Sequence, residues 1–373
     1  AGQYLGLFGV TPDDGSATIK NLKVTNSYYE STKTTEHSGQ IDGSGEIIGR
    51  GAGTLDPIYC DAIIVSQTRS VGGMIGVHRF GPLDMTNCWF AGKATGRQII
   101  GGMVGFGHGN VTYTNMTDCL VTADLTSIMT SGDAYIGGLA GYMTNGKIDS
   151  CIIQGTFTGP AAVRGFFGGF GSNASQTIEL SKLYHAANAT SWYAGGLGTL
   201  KTSELKDISE DNLKGTKGYT HTLLSFYDKN ANTSGRWALI EDATPELKSF
   251  TDKQYKKDLS ALSSAARPAI SDTSWYDESK TTFTISTAEE LYGLATLCNA
   301  GNTFAGKTIK LGADITLNNG KASDWAKGEV PANIWTPIGG GASSMDYIPF
   351  SGTFDGQGHT ISGVYFKSSG QYL

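Results

Sequence analysis

Residues 72–105, GGMIGVHRFGPLDMTNCWFAGKATGRQIIGGMVG, hold the pattern that decides the fold. A block of the form G-G-apolar-apolar-G opens and closes the stretch. Between the two copies lies a strand-like block, MTNCWF, in which an apolar residue is followed three positions later by Cys. Both blocks recur. The glycine block appears as GLFG from Gly6 to Gly9, GEIIG from Gly45 to Gly49, GGMIG from Gly72 to Gly76 and GGMVG from Gly101 to Gly105. It continues as GGLAG from Gly137 to Gly141, GGFG from Gly168 to Gly171 and GGLG from Gly195 to Gly198. Successive copies stand about 27 to 40 residues apart, a solenoid spacing. The second block returns as IKNLKV (Ile19 to Val24), MTNCWF (Met85 to Phe90), MTDCLV (Met116 to Val121) and IDSCII (Ile148 to Ile153), with a weaker copy, LSKLYH, from Leu180 to His185. One flat coil carrying two strands cannot bury its apolar side, whereas stacked coils pair at roughly 4.8 Å and enclose a continuous core. The pattern predicts an all-β chain folded as a right-handed parallel β-helix, or β-solenoid. The glycines are expected where the chain turns between sheets, accepting positive φ and letting backbones approach, with the apolar residues between them pointing inward. Leu22, Cys88, Cys119, Cys151 and Leu183 fall in one column on neighbouring coils and are expected to be buried, the cysteines as free thiols.

Composition agrees with strands rather than helices. The 373 residues include 52 Gly and only 9 Pro, and the chain is rich in Thr, Ser, Ile and Tyr. A net charge of -6 without a Lys/Arg cluster gives no footprint for nucleic acid or anionic lipid. No apolar run approaches the roughly 18 residues of a membrane span, so no membrane insertion is expected in this segment, and a secretion signal is expected outside it. The five cysteines match neither a metal knuckle nor a disulfide scaffold.

The organisation divides at composition shifts. Residues 1–200 read as solenoid coils and 201–250 as a closing segment, with RWALIED and TPELKSF as final strands. Residues 251–275 read as a linker. Residues 276–373 read as an N-terminal cap and the first coils of a next tandem unit, since Ser286-Thr287-Ala288-Glu289 has the form of a capping box opening a short helix. Strands follow in KTIKLGADITL and GTFDGQGHTISGVYF. The tetrapeptide GQYL occurs at residues 2–5 and again at 370–373, which suggests about one period of a tandem array.

The run ISTAEELYGLATLCNAGNTFAGKTIKLGADITL, with WTPIGG, FSGTFDGQGHTISGVYF, GLFG and the MTNC, MTDC and IDSC strands, resembles bacterial surface proteins carrying GLUG-motif repeats. Such repeats are also found beside immunoglobulin-A-specific metalloproteases. The resemblance implies a β-helical, secreted or surface-anchored, adhesin-like protein with no defined ligand.

No catalytic residue, metal ligand or cofactor is assigned. The six histidines are scattered and form no HExxH. His359 and Asp355 read as turn residues, and the glycine blocks lack the Lys-Ser/Thr of a P-loop. Tyr28-Tyr29, Trp89, Tyr142 and Trp192-Tyr193 are candidate stacking platforms for sugars or a protein partner. The expected function is an extracellular, non-catalytic adhesin or stalk. Its expected partners are further copies, joined head to tail through strand addition, and a host or microbial surface protein or glycan. The competing reading is a polysaccharide lyase or hydrolase on a β-helix, which needs a carboxylate pair or a base on an exposed face.

Overall fold

In the computed structural model the chain is a parallel β-solenoid. The structure describes every residue except 1–3, 33–41, 110–112, 133, 161–162, 172, 190, 194–195, 197, 216, 218–220, 222–235, 239, 241, 252–269, 342–346 and 369–373. One ladder of parallel strands runs the length of the stack. It starts with Thr282–Ile285, Thr308–Leu311 and Thr353–Asp355 and continues through Thr18–Lys20, Gly53–Leu55, Pro82–Thr86 and Tyr113–Thr117 to Gly146–Thr158, Thr177–Ala187 and Thr199–Asp207. Spatial order is therefore not chain order. The C-terminal segment docks on the N-terminal coil of the same chain: Thr353 pairs with Thr18, Ile361 with Val24 and Phe366 with Tyr29. The two edges expected to meet between chains meet within one.

A second wall is built by the glycine blocks. Phe8–Val10, Ile48–Arg50, Ile75–His78, Val104–Gly107, Ala140–Met143 and Arg164–Phe170 stack in parallel; the first five are each preceded in their coil by a short strand such as Ser70–Gly72 or Ile99–Gly101, which Arg164–Phe170 absorbs into one strand. The last glycine of a block lies against the preceding coil's short strand. A Cβ at Gly76 would stand 2.4 Å from the Ser44 amide nitrogen, one at Gly105 2.8 Å from the Val71 carbonyl carbon, and one at Gly141 2.7 Å from the Ile100 nitrogen. Glycine is required by backbone contact, and the expected positive φ is not the reason. None of Gly6, Gly9, Gly45, Gly49, Gly72, Gly76, Gly101, Gly105, Gly137, Gly141 and Gly168 adopts one. Between the glycines, Met74, Ile75, Met103, Val104 and Leu139 are fully buried, the consecutive pairs because the first residue of each sits in a bend before the strand.

The register of the last two blocks differs from the sequence alignment. Phe167 pairs with Ala140, so the block is RGFFG, residues 164–168, and Gly168 holds the fifth place, where a Cβ would stand 2.5 Å from the Ile136 nitrogen. Gly171, at φ +61°, ends the strand in the left-handed region. In the following coil Tyr193 pairs with Phe167, which leaves Gly196 and Gly198 beyond the block; Gly195 lies outside the described residues.

Left-handed corners fall elsewhere. Asn21, Asn87, Asp118, Ser150, Lys182 and Glu204 all have φ between 45° and 58° and each immediately precedes a column residue: Leu22, Cys88, Cys119, Cys151, Leu183 and Leu205. Asn and Asp tolerate this conformation because a short polar side chain bonds locally. Pro57 takes the place in the coil of Ile58.

The cap is shifted by one residue from the expected box. Thr287, not Ser286, is the N-cap of the helix Ala288–Asn299. Its Oγ1 accepts the Glu290 N–H at 3.2 Å, and Glu290 Oε2 accepts the N–H groups of Ser286 and Thr287 at 2.6 and 3.1 Å. This register turns Leu291, Leu294, Ala295 and Cys298 into the core over Thr282–Ile285, whose outer edge would otherwise open the first coil. Among the described residues no helix is long and apolar enough to cross a membrane.

RWALIED and TPELKSF do not extend the stack. Trp237–Ala238 and Glu246–Leu247 pair with each other, antiparallel, and lie on its flank. The flank explains why. Between the inward residues of the second block stands an outward column, Tyr59, Trp89, Leu120, Ile152 and Tyr184, bracketed by Lys23 and Lys206. Ile208, Leu213, Trp237, Leu247 and Phe250 cover it, and the seam is pinned by Trp237 Nε1 to Asp118 Oδ1 at 3.1 Å and Asn87 Nδ2 to Ser249 Oγ at 2.6 Å.

The glycine contacts predict a specific sensitivity. Gly105→Ala forces a Cβ into Val71 backbone and costs about 1–3 kcal/mol. Gly340→Ala, whose Cβ meets nothing nearer than Asn299 Oδ1 at 3.8 Å, leaves stability unchanged. Urea unfolding of the two variants checks this.

Candidate functional site

The column predicted from the second block is continuous in the structure: Leu22, Ile58, Cys88, Cys119, Cys151, Leu183 and Leu205 face one another across successive strands. Ile58 completes it where the sequence pattern is interrupted by Pro57. All five cysteines are free and buried. The thiols of the column point at carbonyl oxygens: Cys88 Sγ at the oxygens of Leu55 and Thr86, Cys151 Sγ at that of Asp149. Burial pushes the Cys88 and Cys151 thiols up. The column is a packed interior in which every thiol is buried.

Two residues further along each strand lies a second inward column, Val24, Cys60, Phe90, Val121, Ile153 and His185. It faces the second position of the glycine blocks, and the sizes on the two walls compensate. A Cβ at Gly73 would stand 2.3 Å from Phe90, at Gly102 2.7 Å from Val121, at Gly138 2.4 Å from Ile153 and at Gly165 2.4 Å from His185. Where the facing residue is the small Cys60, the block carries Glu46, fully buried. Glu46 Oε2 accepts the Ala62 N–H at 2.8 Å, while Oε1 has no partner. Burial, reinforced by Asp61, holds this carboxyl well above the usual range, and Tyr29 and Cys60, the other titratable groups against it, are themselves pushed up by burial.

His185 ends the column, and Asp207, paired with it, follows at the exposed end of the stack. His185 Nδ1 lies 3.0 Å from Asp207 Oδ1, which also accepts the Trp192 Nε1–H. Two His–carboxylate pairs stand among the described residues, this one and His359–Asp314, and the geometry of this one is closed. Nε2 is buried, has no hydrogen-bond partner among the described residues and stands against Gly165. Burial lowers the His185 pKa and Asp207 opposes the shift. The sequence pattern missed this pair because His185 occupies a place that is apolar in the coils before it, from Val24 to Ile153. His359, in the DGQG turn, bonds Asp314 Oδ1 at 3.3 Å, while Asp355 accepts the Gln357 N–H and the Asn21 amide.

Two clefts lie between the stack and the helix Glu210–Leu213. One, of about 430 Å³, is lined by His185, Ala187, Asp207 and Glu210; the other, of about 320 Å³, by Gly92, Lys93, Asp124, Gln154 and Glu210. Lys93 and Asp124 pair at 3.0 Å. Among the described residues no group of three or more His, Cys, Asp or Glu is placed to hold a metal ion.

The candidate aromatic platforms divide. Tyr28, Tyr29 and Trp89 are buried, which removes them from any open surface: Tyr28 stacks on Tyr365 at 5.7 Å, and Trp89 packs against Tyr59 under the flank segment. Trp192 and Tyr193 pack against the end of the core. Tyr142 is half-buried and joins Phe106, His108 and Tyr135 in a surface cluster, Phe106 and His108 stacked at 5.2 Å. Comparison of the chain with family models, with curated proteins and with solved structures gave no match.

Two predictions follow from the buried groups. The five thiols stay unreactive to a thiol reagent in the native protein and all react in denaturant; modification of a column cysteine without unfolding contradicts the packing. A carboxyl whose folded pKa lies above its unfolded value of about 4.3 binds more protons folded than unfolded, so its contribution is present below that pH and lost as pH rises through the folded pKa. Glu46→Gln therefore raises stability at pH 7 and closes the difference near pH 4, as measured by urea unfolding at the two pH values.

Proposed function

We propose that the chain is a non-catalytic, rod-forming module of a bacterial surface protein, related to those with GLUG-motif repeats, that acts outside the cell as a stalk or an adhesin. The observation that carries the reading is the uninterrupted core. One apolar column passes through every coil from the N-terminal coil to the last strand, and backbone contact at the glycine blocks leaves no side-chain layer in which the stack bends. A rigid spacer needs this and an enzyme does not. The closed His185–Asp207 pair weighs against the lyase or hydrolase alternative, since a base must reach the proton it removes.

The surface cluster of Tyr142, Phe106, His108 and Tyr135, with exposed Phe80 and Tyr113, is the face that suits adhesion to a glycan or a surface protein. Further copies join head to tail where the C-terminal segment of one copy takes the N-terminal coil of the next in place of its own, by the strand pairing found within the chain.

Electron microscopy of chains carrying one, two and three joined copies tests the stalk. Each copy adds a rigid segment of about 45 Å for the ten-strand ladder at roughly 4.8 Å per rung. Compact particles whose length does not grow with copy number, or depolymerisation of a polysaccharide by the purified protein, overturn the reading.

A further inference from the structure

The cleft of about 320 Å³ beside the helix Glu210–Leu213 contains a polar group that the described protein leaves unanswered. Gln154 is only 9% exposed, and its carboxamide Nε2 is covered and has no hydrogen-bond partner among the described residues. Register puts it there. Ile152 lies under the flank segment, and Gln154, two residues on along the same strand, reaches the place where the cleft opens. Packing alone does not ask for an amide at this place, since Ala186 holds it on the next rung. A buried amide costs free energy unless something bonds it, so the group calls for a partner from the cleft.

The surroundings say what kind of partner. Thr122 stands opposite Gln154 on the preceding rung, and its Oγ1 accepts the Trp89 Nε1–H at 2.8 Å, which leaves the hydroxyl's own hydrogen to donate. The χ3 torsion of glutamine is soft, so the carboxamide turns its Nε2 to the opening at little cost. The floor thus offers two donors on adjacent rungs. At the rim the chemistry is opposite: Lys93 pairs with Asp124 at 3.0 Å and Glu210 adds a second carboxylate, so two negative charges stand against one positive. Backbone groups at Thr122, Ala123 and Asp124 are already engaged in the ladder with Gln154, Gly155 and Thr156, which leaves no edge for an extended peptide to join.

A ligand for this cleft accepts hydrogen bonds at depth and donates them at the rim. A cation supplies no acceptor for Gln154, and an anion is repelled by Asp124 and Glu210. A hydroxyl does both, and it meets a carboxamide in either orientation. The opening runs along the stack. Asp124, Gln154 and Ala187 lie on the rungs after Lys93, and the second cleft continues past Glu210 to Asp207. Three steps of roughly 4.8 Å give a length of about 14 Å, enough for several sugar rings in line.

We propose that this cleft binds a neutral, hydroxyl-rich carbohydrate chain laid along the solenoid axis, with Thr122 and Gln154 donating to it from the floor and Asp124 and Glu210 accepting from its hydroxyls at the rim. The site lies on the wall opposite the glycine blocks, apart from the Tyr142 cluster. It gives the adhesin reading a ligand class and rests on that reading only for where the carbohydrate is met.

Isothermal titration of the full chain with cellohexaose, mannohexaose and chitohexaose tests the site, with spermine and hexagalacturonate as charged comparators. At least one neutral oligosaccharide binds with a Kd of about 1 mM or tighter. Gln154→Leu weakens that sugar about tenfold or more without lowering Tm, because it removes an amide that lacks a partner. Glu210→Ala, at an exposed position, weakens it as well and serves if Gln154→Leu does not fold, whereas Tyr142→Ala leaves the affinity unchanged. Absence of binding by all three neutral sugars up to about 10 mM overturns the site, as does equal binding by the Gln154 and Glu210 variants or tighter binding of either charged comparator. If no sugar binds while joined copies still lengthen as a rod, the site falls and the stalk stands. If the sugar binds and the particles stay compact, the site stands and the stalk falls.

Discussion

Two strands of one coil and its neighbour come so close that no Cβ fits between them, and the cross-section of the solenoid follows from that contact. Because Gly76, Gly105, Gly141 and Gly168 lie directly on the backbone of the preceding coil's short strand, the glycine wall is thin and its own apolar residues, Met74, Ile75, Met103 and Val104, must face the opposite wall. The opposite wall then has to fill what the second glycine of each block leaves empty. It does so with Phe90, Val121 and Ile153, and where Glu46 replaces the glycine it shrinks to Cys60. Close packing makes the two walls one unit, since a change of one methylene on either side is felt on the other.

The same accounting shows why the cysteines need no chemistry to explain them. The Leu22 column touches wide and narrow coils alike, and a thiol is about the smallest apolar group that keeps contact while donating weakly to a carbonyl. Its neighbours above and below are Ile58 and Leu183, which hold the same place with more volume. A column that accepts Leu, Ile and Cys in turn is defined by shape.

The repeat period, the two blocks per coil, the inward column and the capping helix were all legible in the sequence, because each follows from spacing and from residue types with strong local preferences. What escaped it depends on contacts across the core. The block at 164–168 was misaligned because Arg164 fills a glycine position, and only pairing with Gly137 shows that it belongs there. The capping box was read one residue early because Ser286 and Thr287 both precede a Glu by three; the choice between them is made by which helix face meets the core. The flank segment was taken for terminal strands, although CWF, CLV and CII already broke the alternation of period two. Three apolar residues in succession, coil after coil, require a cover on the outer face as well as a core on the inner one.

The two ends of the stack differ in kind, and this bears on how copies relate. At one end the helix Ala288–Asn299 closes the core with Leu291, Leu294 and Cys298 over the first strand. At the other, Thr199–Asp207 presents Lys201, Glu204, Lys206 and Asp207 along a strand that pairs, among the described residues, on one side only. Charges on an edge strand disfavour pairing with another sheet. A finished rod is therefore poorly suited to stack on a second finished rod at either end. The junction between Thr353–Ser368 and Thr18–Ser31 is of the opposite character, apolar, fully paired and shared by the two chain ends, with Phe8 packed against Phe350 and Phe354 at 5.0 and 5.4 Å. At that junction the strand pairing and the core are those of one solenoid, although its two sides come from opposite ends of the sequence.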